Sequence, residues 1–159
     1  MKKKSPVTHY RLGQMYMIKK DYIRARQEFK KTITLDPNLN EAYKKLGDSC
    51  SVLGDFKEAL NAYKTAYEHD SNDIELAMSL AICYDSCDDT ENAIEVLKDI
   101  TKIQEDYPMV NYNLAYGLNS LERYKEALEY VNKEIKFHPE NEMAVELKEE
   151  IQKSLKKGD

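Results

Sequence analysis

Apolar side chains in this chain fall into stripes of helical spacing, and the stripes come in pairs divided by a short polar turn. In residues 40–73 the first stripe is Tyr43, Leu46, Gly47 and Cys50. After the Leu53-Gly54-Asp55 turn the second is Phe56, Ala59, Leu60, Tyr63, Ala66 and Tyr67. The pair recurs every 34 residues, four times, with no insertion or deletion. Leu12-Gly13, Leu46-Gly47, Leu80-Ala81 and Leu114-Ala115 share one register; Ala25, Ala59, Ala93 and Ala127 follow, each thirteen residues after the leucine. The pattern predicts four helix pairs, over 6–39, 40–73, 74–107 and 108–141, after a tail at 1–5. A fixed period of this length marks a solenoid, whose units bury their apolar faces against their neighbours.

Local signals agree with the stripes. The small residue after each leucine lets two helices cross closely, and the recurring alanine does the same from the second helix. Asp55 followed by Glu58 predicts a capping box at the start of the second helix of copy two. Pro37 and Pro139, three periods apart, close copies one and four, because proline cannot continue the preceding helix. Residues 142–157 begin a fifth period without the Leu-Gly pair. Ala144, Leu147, Ile151 and Leu155 form one narrow stripe there, with Glu142, Glu146, Glu149 and Glu150 ahead of Lys153, Lys156 and Lys157, the order a helix dipole favours. Residues 142–159 are therefore expected to be a capping helix and tail, ending the array, while the N-terminal end has no comparable cap. The count is about nine helices in an all-α fold.

These residues resemble the tetratricopeptide repeat, in which Leu-Gly, a Tyr three residues on, a later Ala, a Phe/Tyr and a closing Pro recur. Copy one fills those places with Leu12, Gly13, Tyr16, Ala25, Phe29 and Pro37. Copy two has Leu46, Gly47, Cys50, Ala59, Tyr63 and Ala66, with Ser71 at the proline place. Copy three has Leu80, Ala81, Tyr84, Ala93 and Leu97, with Glu105 there. Copy four has Leu114, Ala115, Leu118, Ala127, Val131 and Pro139. The family's Trp is absent; His9, Tyr43, Ala77 and Asn111 stand in its place. The resemblance covers 6–141 and implies a right-handed superhelical solenoid of antiparallel helix pairs whose first helices line a concave groove.

Charge and chemistry narrow the function. The net charge of −5 argues against general nucleic-acid binding. It is uneven: residues 1–79 carry 14 Lys/Arg against 11 Asp/Glu, and residues 80–159 carry 10 against 18, so the halves are +3 and −8. No apolar run follows Met1-Lys2-Lys3-Lys4, and no stretch of about eighteen apolar residues exists to cross a membrane. The three cysteines do not form a disulfide framework, so a cytoplasmic protein is expected. His9, His69 and His138 fall on separate elements and do not converge as an active site requires; His138 reads as a surface residue favoured by a helix end. Cys83 and Cys87 lie four apart on one helix with no further ligand to complete zinc. Asp85, Asp88, Asp89 and Glu91 lack the glycine and terminal glutamate of a calcium loop. No enzyme, metal or cofactor is expected.

The resemblance implies a working surface on the first helices. The fifth and ninth places of each copy hold Tyr10 and Gln14, Lys44 and Asp48, Met78 and Ile82, then Tyr112 and Tyr116. Met17, Asp85 and Asn119 lie further along the same helices, and Asn113 completes a tyrosine–asparagine cluster. Some members of the family clamp the terminal carboxylate of a heat-shock chaperone tail with Lys, Asn and Arg. Here Lys44 stands alone and Asp48 opposes an anion, so that specificity is not expected. Tyrosine and methionine suit a peptide or amphipathic helix with apolar anchors. Met78 and Ile82 read more readily as packing residues than as contacts. The expected function is a non-catalytic scaffold or adaptor. The alternatives are a dedicated chaperone for a secreted or assembling substrate, and self-association through the N-terminal end.

Overall fold

The structure is a computed structural model, and it describes residues 5–157. Residues 1–4 of the expected tail and 158–159 of the C-terminal tail lie outside the described residues. The described residues form nine helices and no strand, and they divide into two compact units, one ending at Cys87 and one starting at Asp88. That boundary falls inside copy three, so the 34-residue copy is not the packing unit at this point.

The first unit holds α1 (Pro6–Ile18), α2 (Tyr22–Leu35), α3 (Asn40–Val52), α4 (Phe56–His69) and α5 (Ile74–Asp85). Consecutive helices pack on one another, and α1 also touches α3. Ser5, assigned to the tail, is the N-cap of α1: its hydroxyl accepts from the Thr8 amide at 3.2 Å. Phe29 and Tyr63 lie over Gly13 and Gly47. A Cβ at Gly13 would stand 2.6 Å from Phe29 Cε1, and one at Gly47 would stand 2.5 Å from Tyr63 Cε1. Glycine is therefore demanded by the ring that covers it. Arg26 meets Asp55 at 3.4 Å and Glu58 at 3.6 Å, and Lys30 also pairs with Glu58, binding α2 to the start of α4.

The second unit holds α6 (Thr90–Ile103), α7 (Val110–Ser120), α8 (Tyr124–Phe137) and α9 (Glu142–Lys157). Its core is Ile94, Leu97, Ile100, Leu114, Leu118, Val131 and Ile151, all buried. The second helices start at Tyr22, Phe56, Thr90 and Tyr124, in strict register. Each is preceded by a left-handed residue at one fixed place: Lys20, Gly54, Asp88 and Glu122, with φ of 58°, 76°, 60° and 59°. Only copy two puts there the residue that adopts this conformation without strain.

Two local features go beyond the repeat pattern. The first helix of copy four begins at Val110, two residues into the copy, because Met109 is left-handed with φ 68° and lengthens the turn after α6. The Asp55–Glu58 capping box is half formed. Asp55 Oδ1 accepts from the Glu58 amide at 3.3 Å, but the Asp55 amide donates to Cys50 O at 2.9 Å and Glu58 is drawn to Arg26 and Lys30.

Candidate protein-interaction surface

The side chains expected on the first-helix face separate into two groups, one in each unit. In the first unit the charged members are engaged by neighbours. Lys44 Nζ on α3 donates to Asp73 Oδ2 at 2.5 Å, and Asp73 Oδ1 accepts the Leu76 amide at 2.9 Å as the N-cap of α5. Partial burial opposes ionisation of both groups. Their mutual hydrogen bond and charge outweigh it, lowering Asp73 below the usual carboxylate range and raising Lys44. Asp48 accepts from Tyr63 Oη at 2.9 Å and from Lys45 Nζ at 3.0 Å. Burial, then the Asp48 charge, pushes the Tyr63 phenol well above its ordinary value, so Tyr63 stays protonated and donates to Asp48. Tyr10 sets its ring 5.8 Å from that of Phe29, and its hydroxyl is raised by burial and then by Glu41.

Gln14, Met17 and Met78 are half-buried, and Asp85 is exposed at the end of α5. Ile82 is 52% exposed, which corrects its reading as a packing residue: Ala81 and Cys83 beside it take the buried places and turn it outward. A depression of about 430 Å³ does exist in this unit, lined by Ile33, Tyr43, Leu46, Ala62, Lys30 and Glu58 among others, but none of the twelve expected residues borders it.

In the second unit α7 brings Tyr112 and Tyr116 together, with ring centroids 6.4 Å apart and planes at 24°. Tyr116 is 52% exposed and therefore does not fill the core. Asn113 is half-buried beside them. Asn119 donates from Nδ2 to Glu150 Oε1 on α9 at 3.0 Å. The Tyr112 hydroxyl is raised by burial, then by Tyr116, Glu146 and Glu150. The α9 carboxylates thus border the tyrosines. Continuing the 34-residue register past 141 puts Met143, Glu146, Glu150 and Lys153 at the same places as Met109, Tyr112, Tyr116 and Asn119. In that register α9 continues the first-helix stripe beyond the helix expected as a cap over 142–157.

Glu134 was missed as well. It is 1% exposed on α8, and its Oε2 accepts from the Tyr112 amide at 3.2 Å while Oε1 accepts from Asn141 Nδ2 at 2.9 Å. Asn141 Oδ1 in turn accepts the Ala144 amide at 3.3 Å at the start of α9. Met109 has no side chain to cap α7, so a carboxylate from the neighbouring helix takes an amide of its first turn, where the helix dipole favours negative charge. This network orients the helix that carries both tyrosines. Its only sequence signal is a glutamate at the place where Thr32, Ala66 and Ile100 are buried.

The groups examined for chemistry do other work. His9 Nδ1 lies 2.6 Å from Glu28 Oε2, and His138 Nε2 lies 3.0 Å from Asp106 O in the turn after α6, so His138 joins two elements rather than simply facing solvent. Burial pushes the Cys50 thiol up to about 12 and the Cys83 thiol up to about 11, leaving both protonated and weak as nucleophiles at neutral pH. Among the described residues no helix is long and apolar enough to cross a membrane.

Comparison with known proteins covers nearly the whole chain in three pieces. Two family models described as tetratricopeptide repeat match residues 6–39 and 53–115, and the Fis1 C-terminal tetratricopeptide repeat model matches 110–158. Superkiller complex protein 3 of Mus musculus is 31% identical over 100 residues, which is 59% of this chain and 6% of that protein. The chain therefore spans a small part of that relative. Among solved structures, YrrB, described as a TPR protein with an unusual peptide-binding site, superposes with a TM-score of 0.84 at 23% identity, covering 91% of this chain and 74% of its own. MamA superposes with a TM-score of 0.83 at 23% identity over 96% of this chain and 88% of its own. At these identities the likeness is one of fold.

Proposed function

The chain belongs to the tetratricopeptide-repeat proteins, and from that premise we propose that it is a non-catalytic scaffold that binds a segment of a partner protein on its first-helix face. The observation that carries this reading is the exposed, stacked Tyr112–Tyr116 pair on α7. A half-exposed tyrosine beside a second ring offers large contact area at low entropy cost, and Asn113 adds hydrogen-bonding capacity for a peptide backbone. Lys44 and Asp48 of the first unit are internally paired, which weakens any reading in which they supply the recognition charge. The peptide-binding site in the description of YrrB is consistent with this use of the fold.

Affinity capture with the full chain tests the proposal. Tyr112→Ala with Tyr116→Ala is expected to retain helical circular dichroism and to lose the partners that the wild type retains. Undiminished capture by the folded double variant would remove the tyrosine face from the proposal.

A second reading, self-association through α1, has its own observation. The third and tenth places of the first helices are buried as Ala42 and Ser49, Leu76 and Cys83, Val110 and Gly117, Ala144 and Ile151. In α1 those places are Thr8 and Met15, both exposed. Sedimentation velocity across a concentration series reads this directly: a monomer throughout ends it, and dimers abolished by Met15→Glu support it.

A further inference from the structure

We propose that the α7–α9 surface takes an arginine-bearing peptide segment, the guanidinium seated over the Tyr112–Tyr116 rings and paired with the carboxylates of Glu146 and Glu150. This rests on the reading that the first-helix face binds a peptide, and it names the chemistry that the peptide must carry.

The geometry comes from two helices side by side. Asn119 on α7 reaches Glu150 on α9 at 3.0 Å, which places the α9 carboxylates along the edge of the tyrosine pair. Glu146 lies one turn before Glu150 on the same helix, at the place that Tyr112 holds on α7. Both glutamates are exposed, and the ion pairs of the described residues include neither of them. By contrast, Asp21, Glu28, Asp55, Glu58, Asp73 and Asp99 each have a cation of the chain itself.

The surrounding charge is mostly negative. Helix α7 contains no charged residue between Val110 and Ser120. On α9 Glu146 and Glu150 act on Tyr112, and the helix as far as Glu150 carries Glu142, Glu146, Glu149 and Glu150 against Lys148, which is half-buried, with Lys153 one turn beyond Glu150. The half of the chain from residue 80 carries −8. Such a field repels an acidic segment and attracts a basic one.

Arginine is favoured over lysine by shape. Its planar guanidinium stacks on a phenol face and forms paired hydrogen bonds to a carboxylate, while a lysine ammonium acts as a point charge. The rings lie 6.4 Å apart at 24°, and Tyr116 is 52% exposed, so its phenol is open to such a contact. An apolar anchor alone would leave two uncompensated carboxylates at the rim. The tyrosine pair alone would be indifferent to charge.

A random dodecapeptide library displayed on phage and selected on the full chain provides the test, run in parallel on Glu146→Gln with Glu150→Gln. Glutamine keeps the helix propensity of these exposed places, so the variant remains folded. Arginine is expected to be enriched several-fold in the wild-type pool and to return to library frequency in the variant pool. A synthetic peptide from the wild-type pool is expected to bind the variant about tenfold more weakly, and to lose affinity for the wild type as salt rises. A wild-type pool without basic residues overturns this inference and leaves peptide binding standing, as does arginine enrichment unchanged in the variant. A library that yields no binder on either protein overturns the peptide-binding reading and this inference with it.

Discussion

In residues 6–73 each first helix carries glycine where a ring from its partner helix lies across it, Gly13 under Phe29 and Gly47 under Tyr63. In residues 108–141 the same two places hold Ala115 and Val131, both buried. The small residue on the first helix grows by a methyl while the ring on the second shrinks to valine, so copy four fills these two places with less bulk. The caps differ in the same way. Asp21 and Asp55 each accept an amide of the helix that follows, at 3.1 Å and 3.3 Å. Copy four has Arg123 there, which instead grips Glu126 at 2.7 and 2.6 Å. The early copies thus cap each second helix with an aspartate, and Arg26 and Lys30 of copy one reach across to Asp55 and Glu58 of copy two. Copy four has lost that aspartate and caps its first helix from its second, through Glu134 and Asn141, and α9 in turn borders its tyrosines. The lesson is that the copies closest to the repeat pattern keep its local caps, and a copy that departs from the pattern at the cap carries the candidate site.

The largest effect that tests this comparison is at the ring–glycine crossing. Phe29→Ala is expected to lower unfolding free energy by about 3–5 kcal/mol, and Gly47→Ala by about 1–3 kcal/mol, read from urea denaturation. Combining Gly13→Ala with Phe29→Leu, the residue types that copy three has at the same places, should cost less than the sum of its singles by about 1 kcal/mol. Strict additivity would mean that ring and glycine are not coupled.

Next comes the borrowed cap. Glu134→Ala leaves the Tyr112 amide and Asn141 Nδ2 without their acceptor and is expected to cost about 1–3 kcal/mol. It should also weaken partner capture, because the turn that carries Tyr112 loses its anchor. The same place in copy one, Thr32, bonds only to Glu28 O within its own helix at 2.9 Å. Thr32→Ala should therefore cost no more than about 1 kcal/mol. Equal losses at the two places would erase the distinction between them.

A smaller gain is expected from the left-handed turn. Glu122→Gly puts into copy four the residue that copy two has at Gly54, and should raise stability by up to about 1 kcal/mol. A loss would mean that glycine's greater freedom in the unfolded chain outweighs the relieved strain.

The smallest effect is the Lys44–Asp73 pair. Asp73→Asn keeps a good N-cap and removes the charge, so its cost of about 0.5–1 kcal/mol reports the ion pair alone. Asp73 is lowered by Lys44, so the pair's contribution is complete above the ordinary carboxylate range and is lost as pH falls through the folded value. Lys44 is raised, so the contribution is also lost as pH climbs past the ordinary lysine range. The gap between wild type and Asp73→Asn should therefore be flat near pH 7 and close in acid, below the ordinary carboxylate range. A gap that persists in acid would assign the loss to the cap.

Much of the fold was legible. The starts of α2, α4, α6 and α8 are 34 residues apart as the register requires, and the buried Ala25, Ala59, Ala93 and Ala127 sit where the stripes put them. Such features depend on residues three, four or seven apart, which the helix brings together whatever surrounds it. The candidate surface was half legible. Tyr112 and Tyr116 stand at readable places, but their exposure, their stacking and their acidic border depend on how α9 packs beside α7.

The sequence by itself determined the period, the helix pairs, the glycine or alanine after each leucine and the uneven charge of the two halves. It determined them because each is a local or repeating property of the chain. Only the tertiary structure decided that Glu134 is buried, that Asp48 and Lys44 are internally paired, that Met109 delays α7, and that α9 presents Glu146 and Glu150 to the tyrosines. Apart from the Met109 turn, those outcomes join residues far apart in the chain, such as Asp48 with Tyr63 and Tyr112 with Glu146 and Glu150. Which of several polar groups meets which partner over that separation is set by helix crossing and burial.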